Sequence, residues 1–342
     1  MLRLHILNIS HKSVCYNQNL WFIWLGLLIY LFKNAIMSQK ASISAVVKTE
    51  EHLQMREIII YNPAAGSGKT QKLTGVAYRT TSNGDCRRFV REECQQDPDI
   101  HFTVYGGDGT LNEAVSGIMD ANAGSIAEIT AEPYGSGNDT VKSIPQKEFD
   151  GQTIKVDLIS YNEHYGINML NIGFDCNVVA SASRFKRKWN ISGNLSYILG
   201  VVTEFFKPFG EDFTIDAVCE NGEHYKYSGS CLLCAVCNGQ WCGGSFHNSP
   251  ASDISDGVLE LMLVKKMSRL KFLNLIGKYK KGTLVDKNTK KVAFPKYEEY
   301  VIYKRIKSLK ISGCKQICFD GEIDDCTSAD ITIIPGAIKY RL

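Results

Sequence analysis

Residues 57–61 read EIIIY, a run apolar enough to be a strand buried on both faces, and the turn-forming string NPAAGSG follows it. A helix is expected over residues 69–76 and another over 87–95. HFTVYGG, from His101, reads as a strand that enters a glycine turn. Residues 111–119 return as a helix and 126–131 as a strand. Strand and helix alternating in this rhythm predict a parallel sheet covered on both faces. The rhythm changes after Gly151. TIKVDLISYN, HYGINMLNIG, FTIDAVCE, HYKYSGSCLLCAVCNG and GVLELMLVKK are closely spaced strand patterns, interrupted by one long helix near Asn194–Phe206. They predict an antiparallel sandwich or barrel. Residues 269–279 (RLKFLNLIGKY) are amphipathic at helical spacing, and SLKISGCKQICFDGE resumes strands. The fold class expected is therefore α/β: an N-terminal doubly wound α/β part over residues 55–152, then a mostly antiparallel β-sandwich over 153–324. Residues 1–54 stand apart as an N-terminal extension.

With 342 residues, 44% hydrophobic and 22% charged, the chain can bury two ordinary cores. A formal charge of +3 gives no reason to expect nucleic acid as a partner. Twelve cysteines are spread along the chain, a distribution that fits buried free thiols in a reducing compartment. Cys231, Cys234 and Cys237 have a CxxCxxC spacing, but they lie in a continuously apolar string. Residues three apart on a strand face opposite ways, which argues against one metal site. Residues 20–32 (LWFIWLGLLIYLF) are apolar but shorter than the ~20 residues of a bilayer span. A membrane-anchoring segment and an over-extended start, with Met37 or Met55 as the true one, both stay open.

The turn after the first strand, YNPAAGSGKT from Tyr61, resembles a Walker P-loop. The pattern GxxxxGK[ST] would put its first glycine at Pro63, which has neither the amide nor the freedom that glycine supplies. What remains is a glycine-rich turn between a strand and a helix, suited to phosphate oxygens. About forty residues later, YGGDGTLNE spans residues 105–113. Two glycines allow close backbone approach, Asp108 offers a carboxylate for Mg²⁺ or for the ribose and phosphate region, and Thr110 and Asn112 open the next helix.

At these strings the chain resembles the diacylglycerol kinase catalytic domain family, which includes YegS-type lipid kinases and the sphingosine and ceramide kinases. Supporting strings are YNPAAGSG, TTSNGD from Thr80, GGDGTLNEAVSGI, PYGSGND at 133–139, VDL at 156–158, NMLNIGFD from Asn168, NGQWCGGSFHNSPASDISDGVLEL from Asn238 and FDGE at 319–322. The resemblance runs from about Met55 to the C-terminus.

The resemblance implies a cleft site between the two parts, with the last strands (residues 325–342) packing back on the nucleotide part. It implies ATP and Mg²⁺ as cofactors and a membrane lipid as acceptor: diacylglycerol first, with sphingoid base, ceramide or phosphatidylglycerol as alternatives. NAD kinase activity and a non-catalytic nucleotide- or lipid-binding role are the other readings. It assigns the nucleotide to Asn62, Pro63, Gly66, Ser67, Gly68, Thr80, Gly106, Gly107, Asp108, Gly109, Thr110, Leu111, Asn112, Glu113, Ser136 and Asp139. Asp108, Asp320 and Glu322 are implied as catalytic. Asp320 is nominated as base and Glu322 as its partner, with exchanged roles left open; an extended FDGE would point both the same way. A structural Mg²⁺ network is implied at Asp157, Asp256 and Glu322 with bridging waters, and at the backbone oxygens of Asp253 and Val258. Here the chain departs from the family: only residues 140–155 separate GND from VDL, where relatives carry a helix. The basic stretch at 184–189 and the helix at 269–279 are candidate contacts with anionic lipid, against a plain core-packed helix with a solvated face. The family also implies a cytoplasmic protein at the inner face of a membrane, and a homodimer is compatible with it.

Overall fold

Four short parallel strands and their helices make the first layer of the computed structural model, which describes residues 55–66, 77–145, 152–189 and 194–342. They are β1 (Arg56–Tyr61), β2 (Ala77–Arg79), α1 (Asp85–Gln96), β3 (Ile100–Gly106), α2 (Asp108–Asp120) and β4 (Glu128–Pro133), with the short α3 (Asp139–Ser143) after them. The sheet order is β2-β1-β3-β4, all parallel. Ile60, Phe102, Val104, Ile118 and Ile129 are fully buried between sheet and helices, as the unbroken apolar strings require. The helix expected at 69–76 and the apolar segment at 20–32 lie outside the described residues. Between 140 and 155 only the five-residue α3 is described as helix.

The rest follows as β5 (Thr153–Tyr161), β6 (His164–Gly166), β7 (Met169–Gly173), α4 (Phe174–Trp189), α5 (Asn194–Phe206), β8 (Glu211–Cys219), β9 (His224–Cys237), β10 (Leu259–Lys265), α6 (Arg269–Lys280), a small ribbon of β11 (Val285–Asp286) and β12 (Lys291–Val292), β13 (Val301–Ser312), β14 (Gln316–Phe319), β15 (Glu322–Asp325) and β16 (Ser328–Arg341). Pairing among β7–β10 and β13–β15 is antiparallel. β9 and β13 are long and change partners along their length. The first half of β9 pairs with β8 and the second half with β7 and β10. Such strands turn the corners of a sandwich. The burial alternation along β8 marks one face turned to the core and one to solvent.

β16 joins the two architectures. Its first half pairs antiparallel with β13, while Lys339 and Tyr340 pair parallel with β4. Arg341 then bonds Glu128 at 2.7 Å and Glu57 at 2.9 Å. One sheet thus runs through residues 56–342, which form a single compact unit.

Two expectations change. A second helix, α4, also interrupts the strands, and the basic string at 184–189 is its last turn and a half. The pattern was hidden because Cys176, Val178 and Ser181 form a narrow buried stripe among small and basic residues. In addition, a bulge in β9, where the pairing with β10 slips between Val264 and Lys265, brings Cys231 and Cys234 into the same sandwich core, while Cys237 faces the helices. Burial raises all three thiols above their usual range, and no disulfide forms among the described residues.

Candidate active site

Two glycine turns meet at the C-terminal ends of the parallel strands. Gly106 lies so close to Thr110 that a Cβ would stand 2.6 Å from the threonine Cβ, and a Cβ on Gly135 would stand 2.4 Å from Gly107 Cα. Only glycine permits this backbone-on-backbone contact. Asn138, at φ 53°, holds the second turn: its side chain accepts from Gly135 N–H and donates to Gly135 O. Asn62 ties β1 to the same place. Its amide donates to Thr110 Oγ1 at 2.8 Å, and its oxygen accepts from Ala64 N–H. Gly107 caps the thirteen-residue α2 without any side-chain bond, so the first-turn N–H groups stay open toward the turn. An uncapped helix start beside bare backbone is an anion site. Ala at Gly135 is expected to push the two turns apart and cost roughly 1–3 kcal/mol of stability, which urea melts of the variant and wild type measure.

The other expected nucleotide residues divide. Pro63 and Gly66 lie in the turn, Gly66 at φ 66° and packed on Tyr134 O. Ser67 and Gly68 are outside the described residues. Thr80 is buried at the end of β2, its N–H bonded to Tyr61 O. Gly109 and buried Leu111 belong to α2, as does Asn112, whose side-chain oxygen is buried without a partner. Ser136 is exposed on the second turn. Glu113 has a different occupation: both carboxylate oxygens accept N–H groups of Gly84 and Cys86 at the start of α1. It caps a helix and braces the nucleotide turn from behind. This correction explains TTSNGD as well. Asp85 accepts from Thr81, Tyr78 and Arg88, and the guanidinium bond holds its carboxyl down to about 2.

Across the cleft, Asp320 and Gly321 are the two central residues of the β14–β15 hairpin, at φ 45° and 92°. Asp-Gly with both φ positive is the favoured two-residue turn. The dipeptide is therefore a turn, and Asp320 and Glu322 are not two residues of one extended run. The Asp320 carboxylate folds back onto β7: Oδ2 accepts from Ile167 N–H at 2.7 Å and Oδ1 from Met169 N–H at 2.8 Å, with Asn168 N–H at 3.1 and 3.3 Å. Burial pushes this carboxyl up to about 6 although three amides oppose it, and the charge of Asp108 adds to the rise. Glu322 is exposed and its side chain makes no hydrogen bond among the described residues.

The two walls are knitted by α3. Asp108 accepts Thr140 N–H at 2.9 Å, and Asp139 accepts Gly244 N–H through both oxygens. Lys142 donates to Gly244 O, and Ser143 Oγ accepts Gln240 N–H. Asn168 donates to Trp241 O, and the N–H groups of Asn238 and Gly239 bond Asn168 O. Burial, with Asp108 nearby, raises Asp139. Asp108 thus stands between two other carboxylates, and its Oδ2 has no hydrogen-bond donor among the described residues.

The aspartates expected around a structural Mg²⁺ have protein partners of their own. Asp157 accepts Gly257 N–H and Gly336 N–H, both at 2.6 Å. Asp253 accepts from Ser255. Asp256 accepts Val258 N–H and bonds Arg305 at 2.5 Å. Glu322 shares no hydrogen bond with these residues, and among the described residues no three His, Cys, Asp or Glu side chains converge as an ion site. The partners of these aspartates are backbone amides, the Ser255 hydroxyl and one guanidinium. Sequence reasoning missed Arg305, which also reaches Glu220 at 2.7 Å and buried Glu260 at 3.5 Å. Burial raises Glu260 to about 7, while Arg305 and Lys290 pull it down. Arg305→Gln is expected to cost roughly 2–3 kcal/mol. Glu260 is protonated in both states near pH 4, so the loss grows as pH rises toward and beyond 7. Urea melts at pH 4 and pH 8 test this.

Comparison with known proteins agrees with this layout. Residues 56–164 match the profile of the diacylglycerol kinase catalytic domain, and residues 168–341 match that of the YegS C-terminal NAD kinase beta sandwich-like domain. A protein of Staphylococcus aureus strain MSSA476 described as "Putative lipid kinase" is 29% identical over 268 residues, covering 74% of this chain and 80% of its own. A relative from strain JH9 with the same description is 28% identical over the same shares. A crystal structure titled "a putative diacylglycerol kinase from Bacillus anthracis str. Sterne" superimposes with a TM-score of 0.62, at 22% identity over 84% of this chain and 96% of that one. Its low identity carries the fold alone.

Proposed function

The chain belongs to the lipid kinase family built from a diacylglycerol kinase catalytic domain and a YegS C-terminal sandwich, and we propose that it transfers the γ-phosphate of ATP to the hydroxyl of diacylglycerol. The observation that carries the reading is Asp320. Its carboxylate is fixed by three amides of the 167–169 segment, is raised to about 6, and stands within the electrostatic reach of Asp108 on the nucleotide wall. A base poised near neutrality beside an anion cradle is what phosphoryl transfer to an alcohol requires.

In this mechanism the open N–H groups at the start of α2 hold phosphate oxygens, and Asn62 and Asn138 keep the two turns in register. Asp108, with one free oxygen, fits as the single protein carboxylate that a Mg²⁺ bound to ATP uses, since that ion keeps phosphates and waters as its other ligands. Bound there, the ion would neutralise charge on the phosphates. The acceptor hydroxyl gives its proton to Asp320 as its oxygen bonds the γ-phosphorus, and the bond to the β–γ bridging oxygen breaks, releasing ADP. Glu322 keeps the hairpin tip negative, so the incoming alcohol meets two carboxylates.

The test uses the full chain with Mg²⁺ and γ-labelled ATP, presented with detergent micelles of diacylglycerol, sphingoid base, ceramide or phosphatidylglycerol, and separately with NAD. Label in phosphatidate is the expected result. Label confined to another lipid would replace the acceptor and leave the mechanism standing. Label in NADP alone, or none anywhere, would overturn the proposal.

A further inference from the structure

Helix α5 carries a stripe of exposed apolar side chains that no other part of the described chain covers. Leu195, Ile198, Val202 and Phe206 recur at helical spacing and are 56%, 56%, 49% and 78% exposed. A buried helix face should look like this, yet these residues meet solvent. The only acid of α5, Glu204, is itself buried, bonded to Ser181 Oγ at 2.5 Å and Lys207 Nζ at 2.6 Å.

The stripe continues onto α6. Arg269 donates to Phe205 O and to Lys207 O, the carbonyls on either side of Phe206. That clamp sets the start of α6 beside the end of α5. Leu270 and Leu273, one helical turn apart, are 80% and 53% exposed. A soluble surface rarely leaves so many large apolar groups in one place without an occupant.

Charge identifies the occupant. Residues 176–203 contain four Lys or Arg and no acid, and residues 261–285 contain seven and no acid. Three of these cations set their ammonium groups over aromatic rings: Lys271 over Tyr300, Lys278 over Phe294 and Lys280 over Phe246. An apolar ridge on two helices whose own stretches of chain are cationic and free of exposed acids matches the boundary of an anionic bilayer, where acyl chains meet phosphate headgroups.

We infer that the α5 stripe and the start of α6 form the face by which the protein enters an anionic lipid surface, with Phe206 and Leu270 as its deepest anchors. The inference rests on the reading of the acceptor as a membrane lipid. Its test needs neither ATP nor acceptor, so the two fail separately.

The test is co-sedimentation of the full chain with vesicles of phosphatidylcholine alone or mixed with phosphatidylglycerol. Wild type is expected to bind the mixed vesicles at least tenfold more tightly, and 0.5 M salt is expected to weaken that binding. A double variant, Phe206→Gln with Leu270→Gln, alters only exposed side chains and should keep the wild-type melting temperature. It is expected to lose at least tenfold in binding to mixed vesicles. Equal binding by variant and wild type would overturn the inference. So would wild type that ignores vesicles. A wild-type dimer that the variant dissociates, with no vesicle binding by either, would assign the face to a second copy of the chain and overturn it equally.

Discussion

Asp320→Asn is expected to lower kcat by about 10³-fold while ATP still binds. The reason is local. Both carboxylate oxygens accept amide N–H groups, which hold the side chain in one orientation. Asn keeps one of those acceptors and turns an NH₂ toward the other amides. A clash of donors follows, with an expected stability loss of about 1–3 kcal/mol. The variant's activity must therefore be read below its melting transition.

Glu322→Gln supplies the control. Its side chain is exposed and makes no hydrogen bond among the described residues, so the melting temperature should not move. Its activity loss should be the smaller of the two. A larger loss for Glu322→Gln would reverse the roles and make Glu322 the base. The pH profile gives an independent reading. Asp320 must be ionised to take a proton, so kcat/KM should fall as pH drops through about 6, and Glu322→Gln should leave that limb in place. The same group acts on stability with the opposite sense to most carboxylates. Its folded-state value lies above the usual 3.8, so its ionisation subtracts stability as pH rises from about 4 to about 6.

The parallel layer was legible because its signals are local. Apolar runs with glycine turns at fixed places gave β1 and β3 to within a residue and α2 and β4 to within three, while the short β2 left no such run. The turn chemistry of Asp320-Gly321 was also visible, since Asp-Gly is a hairpin signal in any sequence. What no pattern carries is that this turn closes onto residues about 150 positions earlier, which makes one carboxylate both a turn residue and a fixed base. Glu113 was misplaced for a similar reason: a motif names residues near a ligand without saying which face of the helix each occupies. Arg305 was invisible because an arginine on a strand with alternating charge looks like solvent surface until Asp256, Glu220 and Glu260 are brought around it from elsewhere in the chain.

Asp108→Asn is the second large effect, and it tests whether the two walls form one site. Asn placed with its oxygen toward Thr140 N–H keeps the 2.9 Å bond that anchors α3, so the fold should be preserved. The change then removes a charge and little else. Loss of the free Asp108 carboxylate oxygen beside the proposed phosphate cradle is expected to slow transfer by about 10²–10³. The charge also acts at a distance. Asp108 raises both Asp139 and Asp320 through like-charge repulsion. Without it, Asp320 should ionise more readily, and the acid limb of the residual activity should move to lower pH. A purely structural role for Asp108 would lower activity at every pH and leave the limb where it was. A slower enzyme whose limb shifts down requires that the carboxylate of the nucleotide turn and the carboxylate of the hairpin feel each other across one cleft. An unshifted limb would mean that the two carboxylates are not coupled in the working enzyme, whatever the loss in rate.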